Sequence, residues 1–263
     1  MRASAVRRTV MTASAVSLVV LVAACGGTEQ SGGGDSEGKA KPVVKALSAA
    51  ELGKVVLGPG DIDGHKVEQP KKGDAYEAGD VSADKADCEP LAQAFSGVPV
   101  GAPARSEQRV VSEEIDKDKQ EMPSVEELAE MSEEEVQEAT FATMDATKTM
   151  LSVSSYDGAG AEKTVAALRT AAKKCAGGFT VTADGEKQRV TKIVADQVAG
   201  GDENLAWTVT ATSDGTSAET KVSVVRKGGT LAGFASWNIA AVGAGKKYDQ
   251  PTEVIDAQAA KLR

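Results

Sequence analysis

Histidine is almost absent from this chain of 263 residues: there is one, His65. Cysteine occurs three times, and the aromatics amount to two Trp, three Tyr and four Phe. Each scarcity removes a class of chemistry. A zinc site built on three or four nitrogen or sulfur ligands has too few donors here. A Ser–His or Cys–His nucleophile would have to recruit His65, which lies in a polar, turn-flanked stretch with no GxSxG or reactive-cysteine context. His65 therefore reads as a surface side chain. Basic residues are the minority, 30 against 39 acidic for a net charge of −9, and they form no cluster. A nucleic-acid partner is not expected from that balance. Long apolar runs are lacking as well. The stretch Val10 to Val22 is interrupted by Thr12, Ser14 and Ser17, and a membrane-spanning helix needs about 20 predominantly apolar residues.

What that short run offers instead is an address. Arg2, Arg7 and Arg8 precede it and Ala23-Ala24 end it, so residues 1–24 are predicted to be a cleaved export signal. Arg7-Arg8-Thr9 leaves Sec and twin-arginine export both open. Val22-Ala23-Ala24-Cys25 resembles a bacterial lipobox. The resemblance implies cleavage before Cys25 and a diacylglyceryl anchor on its thiol. The protein is then a lipoprotein held to the cell membrane on its extracytoplasmic face. Losing residues 1–24 removes three basic residues and no acidic one, taking the net charge from −9 to −12.

Residues 25–42 are predicted to be a tether. Residues 26–38 hold six glycines and no large apolar side chain, too little to offset the entropy of ordering. As a flexible coil the tether would reach roughly 23 Å. With Cys25 assigned to the anchor, Cys88 and Cys175 remain as one pair. An exported chain with an even remainder is expected to bridge them, closing a loop of about ninety residues worth roughly 4–5 kcal/mol in the chain-entropy model. Two buried free thiols are the alternative.

The domain is expected over residues 43–263. Ser48 with Glu51 forms a capping box opening a short helix through Leu57. A strand is predicted over His65–Gln69, loop over 70–86, a helix over Pro90–Phe95 and a strand over Ala104–Ile115. An acidic excursion follows at about 116–136. Residues 113–138 carry twelve Asp or Glu against Lys117 and Lys119, with two further capping boxes, Ser124/Glu127 and Ser132/Glu135. It reads as a solvated helical segment, with a partner-binding or cation-attracting arm as the sharper alternative. Thr-rich Ala139–Tyr156 reads as one long strand, and Ala161–Cys175 as an amphipathic helix. Strands are predicted over Phe179–Thr182, Arg189–Val194, Leu205–Thr212, Glu219–Arg226 and Thr230–Asn238, punctuated by Asp184-Gly185, Asp214-Gly215 and Gly228-Gly229. A last helix covers Pro251–Leu262. The expected fold class is α+β, a single domain with a twisted, mainly antiparallel sheet, a few helices packed on one face, and one disulfide.

The order of these elements, with Gly58-Pro59-Gly60-Asp61-Ile62-Asp63-Gly64, Cys88 in a Pro-led helix, Tyr156-Asp157, Cys175 in a helix and a meander holding Trp207 and Trp237, resembles a known family. It is similar to the extracellular sensor domains of bacterial Ser/Thr protein kinases and the related lipoproteins of high-GC Gram-positive bacteria. The resemblance covers about residues 43–263. It implies a twisted antiparallel sheet with a ligand-binding cleft. Those domains usually carry two disulfides, whereas this chain has cysteines for one.

No motif announces catalysis or a cofactor. Asp61 and Asp63 match positions one and three of a calcium loop, but His65 falls at position five and Lys72 at position twelve, where a bidentate Glu is needed. Gly58-Pro59-Gly60 fails as a dinucleotide loop, because Gly64 comes one position late. Acidic residues are too many for any hydrolytic pair to stand out. Metal sites and cofactors are therefore not expected. Trp207 and Trp237 read as core, and a cleft lined by Tyr156, Trp237 and Asn238 is the candidate ligand site. The expected function is non-catalytic binding of a small molecule, envelope component or partner protein. The alternative is a carboxylate-dependent hydrolase of envelope carbohydrate.

Overall fold

The sheet grows from local hairpins. Asp184 and Gly185 have φ of +48° and +82°, and Asp214 and Gly215 have +49° and +82°. Both central residues of each turn are left-handed, which matches the turn twist to that of the flanking strands. They join β5 (Phe179–Ala183) to β6 (Glu186–Asp196) and β7 (Glu203–Ser213) to β8 (Thr216–Lys227). Gly228-Gly229 leads from β8 into β9 (Thr230–Asn238), so five consecutive strands form a meander.

The computed structural model describes residues 44–115 and 122–263. The predicted export signal, the lipobox with Cys25, the tether and residues 116–121 of the acidic segment lie outside the described residues. The remaining strands are β1 (His65–Glu68), β2 (Val81–Ala83), β3 (Arg105–Glu113) and β4 (Thr147–Ser155). The nine strands form one antiparallel sheet in the order β1-β3-β4-β9-β8-β7-β6-β5-β2. With the helices it is a single α+β domain, as expected.

Helices cover both faces rather than one. Val224 and Val225, consecutive in β8, belong to different cores, because successive strand residues point to opposite faces. On the first face α2 (Glu89–Phe95) and α5 (Gly160–Lys174) bury Leu91, Val165 and Leu168 against Val209 and Val222. On the second, α1 (Ala49–Val55) and α7 (Thr252–Lys261) bury Leu52 and Ile255 against Val153 and Phe234. The central strands are apolar in both phases, so both faces require cover. Gln258 in α7 is fully buried. It accepts from the Leu57 N–H at 3.0 Å and donates to the Val55 carbonyl at 2.7 Å, which ties α7 to the end of α1.

Cys88, at the start of α2, is bonded to Cys175, at the end of α5, with Cα atoms 5.8 Å apart and both residues buried. All three predicted capping boxes form, at Ser48/Glu51, Ser124/Glu127 and Ser132/Glu135. They open α1, α3 (Val125–Glu130) and α4 (Glu133–Ala142). The described part of the acidic segment thus carries two short helices, the second of which extends past 136 to Ala142.

The long strand expected over Ala139–Tyr156 is therefore corrected. Its first four residues finish α4, and the strand is Thr147–Ser155. The Thr140 hydroxyl donates to the Val136 carbonyl at 2.8 Å, so threonine is accommodated within the helix that the Ser132 cap starts. The stretch 70–86, read as loop, contains β2. Three residues are too few for a periodic pattern, and pairing with β5 is what makes them a strand.

Candidate functional site

Asn238 ends β9, and its two side-chain functions are both engaged. Its Oδ1 accepts from the Ala241 N–H at 2.8 Å, capping α6 (Ile239–Gly243), and its Nδ2 donates to Asp145 Oδ1 at 2.9 Å. Asp145 lies in the turn between α4 and β4. One buried side chain therefore pins α6 beside the exit of the acidic helix. The two helices also touch directly. A Cβ on Gly243 would meet the Phe141 ring at 2.6 Å, so only glycine permits this approach.

Between α4 and α6 lies a cavity of about 430 Å³. Glu134, Gln137 and Glu138 form one wall, Lys246 and Lys247 stand on the other, and Phe141, Ala240 and Ala244 supply apolar surface. Lys246 and Glu138 form an exposed ion pair at 3.3 Å across the mouth. Such a pair contributes little to stability and opens at small cost when a ligand competes for either charge.

Tyr248 lines the same cavity and leads to a buried polar row. Its hydroxyl donates to the Glu219 carbonyl at 2.6 Å, with the Ser236 carbonyl 3.1 Å away. Burial, with the Glu219 charge nearby, raises its pKa far above the ordinary tyrosine value. Its ring lies 5.1 Å from Lys221 Nζ, an attractive arrangement for a cation. Lys221 is only 7% exposed and is compensated by Thr208 Oγ1 at 2.9 Å and the Glu219 carboxylate at 3.6 Å. Strand register sets Thr208, Lys221, Ser236 and Thr149 side by side across β7, β8, β9 and β4. The Thr149 and Ser236 hydroxyls are 2.8 Å apart.

A second hollow of about 430 Å³ lies between the loop Gln69–Glu77 and β3. Its walls are charged as well, with Lys71, Lys72, Glu107 and Arg109, and the Arg109 guanidinium is already held by Glu107 at 3.1 Å.

Of the three residues predicted to share a cleft, Asn238 lines the α4/α6 cavity. Trp237 points to the opposite face, half-buried against Val110, Met150 and Ala235. Tyr156 is at the far end of the sheet: β4 begins opposite Asn238 and ends opposite Thr230, one residue before Tyr156. At about 3.4 Å per residue, that strand separates them by about 27 Å. Tyr156 is buried and donates to the Val100 carbonyl at 2.6 Å. His65 is half-buried at the sheet edge, with its Nδ1 3.0 Å from the Asp63 carbonyl. Sequence reasoning missed Lys221 and Tyr248. A lysine sharing the phase of Ser223 and Val225, next to the apolar run that Val222, Val224 and Val225 make in β8, was the available signal.

No protein-family model matches the chain, and no curated protein matches it. Among solved structures it is similar to the extracellular domain of PknH from Mycobacterium tuberculosis. The TM-score is 0.47 at 13% sequence identity, over 83% of this chain and 96% of that one. A likeness of that size carries no functional argument, so function rests on the site itself.

Proposed function

We propose that this protein is a non-catalytic, extracytoplasmic lipoprotein, anchored to the cell membrane through Cys25, that binds a small molecule or cell-envelope fragment in the cavity between α4 and α6. The observation that carries the binding role is that cavity's construction. An acidic wall faces a basic one over apolar surface, and Asn238 holds both flanking helices in place. A ligand with both charges, or with hydroxyls and an apolar face, matches such walls. The lipobox residues and the Cys88–Cys175 bridge support an exported location, since disulfides persist in oxidising compartments.

The hydrolase alternative requires a general acid whose pKa is raised. The described carboxylates with displaced pKa values, among them Asp61, Glu127 and Glu203, are all lowered by hydrogen bonds or basic neighbours. In the cavity, Asp145 is bonded to Asn238, which is itself committed to capping α6.

Thermal-shift screening with soluble cell-wall fragments and lipids tests the reading. At least one should raise the unfolding temperature of the protein and fail to do so with Ala244→Trp, which fills the cavity from an exposed position. A shift unchanged in Ala244→Trp would place the ligand elsewhere, and no shift from any compound counts against small-molecule binding. Mass spectrometry of protein taken from native membranes should find the chain starting at a lipidated Cys25. An unmodified chain starting elsewhere ends the anchoring claim.

A further inference from the structure

Besides the outer sides of β1 and β2, one further stretch of the sheet has no strand beside it among the described residues, and the Gln250 side chain reaches its end, donating to Asp196 Oδ2 at 3.1 Å. β5 pairs with β6 only over Glu186–Val190, and the register then shifts between Val190 and Lys192. Lys192–Asp196 continues along β7 with no strand on its other side. Thr191, Lys192, Val194, Ala195 and Asp196 are exposed, Val194 at 44%. Elsewhere β5 is flanked by β2, and the part of β3 that β1 leaves unpaired faces the loop Gln69–Glu77.

An open edge of this kind templates pairing with another strand, and proteins usually blunt it with a lysine. Lys192 would serve that purpose if it stood alone. Asp196 follows it by four positions on the same sheet face, with Val194 between them: the three pair with Thr210, Ala206 and Thr208 of β7. This pattern is self-complementary. When the strand meets its own copy antiparallel, about a two-fold axis through Val194, each Lys192 lies opposite an Asp196 and the two valines meet in the middle. Opposite charges directly across a ladder are favourable and like charges are not. A foreign strand has no such requirement to match this spacing.

We propose that the Lys192–Asp196 edge of β6 pairs with the same edge of a second copy of this chain, forming a symmetric dimer with one continuous sheet. The interface is a few residues long, so dimerisation is concentration-dependent and weak.

Sedimentation velocity on the purified full chain in mild detergent, across a range of concentrations, reads this directly. The protein should pass from monomer towards dimer as concentration rises. K192D, which sets acid against acid in both outer pairs, should weaken the dimer by about tenfold or more. V194D and V194K, each altering an exposed side chain and so leaving the fold intact, should both be monomeric alone. Mixed in equal amounts they should form a heterodimer, because unlike charges then meet on the axis. A protein that stays monomeric at every concentration overturns the proposal. So does a dimer as strong in K192D as in the unmodified chain, or a mixture of V194D and V194K that stays monomeric.

Discussion

Asn238 donates to Asp145 at 2.9 Å across a sequence separation of 93 residues. The contact joins the end of β9 to the turn between α4 and β4, and the same side chain caps α6. Both walls of the candidate cavity thus depend on one amide. Asn238→Ala should cost about 1–2 kcal/mol from the lost cap and the lost hydrogen bond. Chemical denaturation measures the cost. Any ligand found for the cavity should bind more weakly to this variant, whereas Asn238→Asp should keep the cap and repel Asp145. A full-strength ligand response in Asn238→Ala would separate binding from the cavity.

The Cys88–Cys175 bridge closes a loop of 87 residues between two helices of one core. Its reduction should lower the unfolding free energy by about 2–4 kcal/mol, mainly by releasing the unfolded chain. Urea titrations with and without reductant test this, and an unchanged midpoint would contradict it.

Gln258 is buried with no exposed surface and satisfies two backbone groups at once, the Leu57 N–H and the Val55 carbonyl. Gln258→Leu keeps the volume but leaves both groups without a partner. The expected loss is about 2–6 kcal/mol, since each of the two buried orphans costs about 1–3 kcal/mol. A thermal unfolding scan should show it plainly, while exposed Gln197→Leu should have little effect.

Tyr156 gives the fold an alkaline limit. Burial pushes its pKa up from 10 to about 12. In the unfolded chain the hydroxyl ionises near 10, so the native state holds the proton more tightly between these values. The stabilisation is complete below pH 10 and is lost as pH rises towards 12, an effect on the order of 2–3 kcal/mol. Tyr156→Phe should be less stable at pH 7 by about 1–2 kcal/mol, because the Val100 carbonyl loses its donor. That difference should shrink above pH 10 in denaturation curves. Tyr248, also raised by burial, keeps some alkaline sensitivity in the variant.

Features governed by neighbours in the chain were legible in the sequence alone. Three capping boxes, two Asp-Gly turns and the amphipathic stretch of α5 each depend on residues within one or two turns of one another. The Cys88–Cys175 pairing followed from having only two cysteines left to pair once Cys25 was set aside. What failed locally failed for a reason: Ala139–Ala142 has strand-like composition but inherits its helix from Ser132 and packs Phe141 on Gly243. β2 exists only because β5 pairs with it. The candidate site belongs wholly to this second kind. Asp145 and the α4 residues come from one stretch and Asn238 and Lys246 from another about ninety residues on, and strand order and register bring the two together. Composition determined that this chain has one histidine and two cysteines besides Cys25, too few for a zinc centre built on nitrogen and sulfur ligands; only the paired sheet decided where the candidate cavity lies, because cavities arise from long-range packing rather than from local propensity.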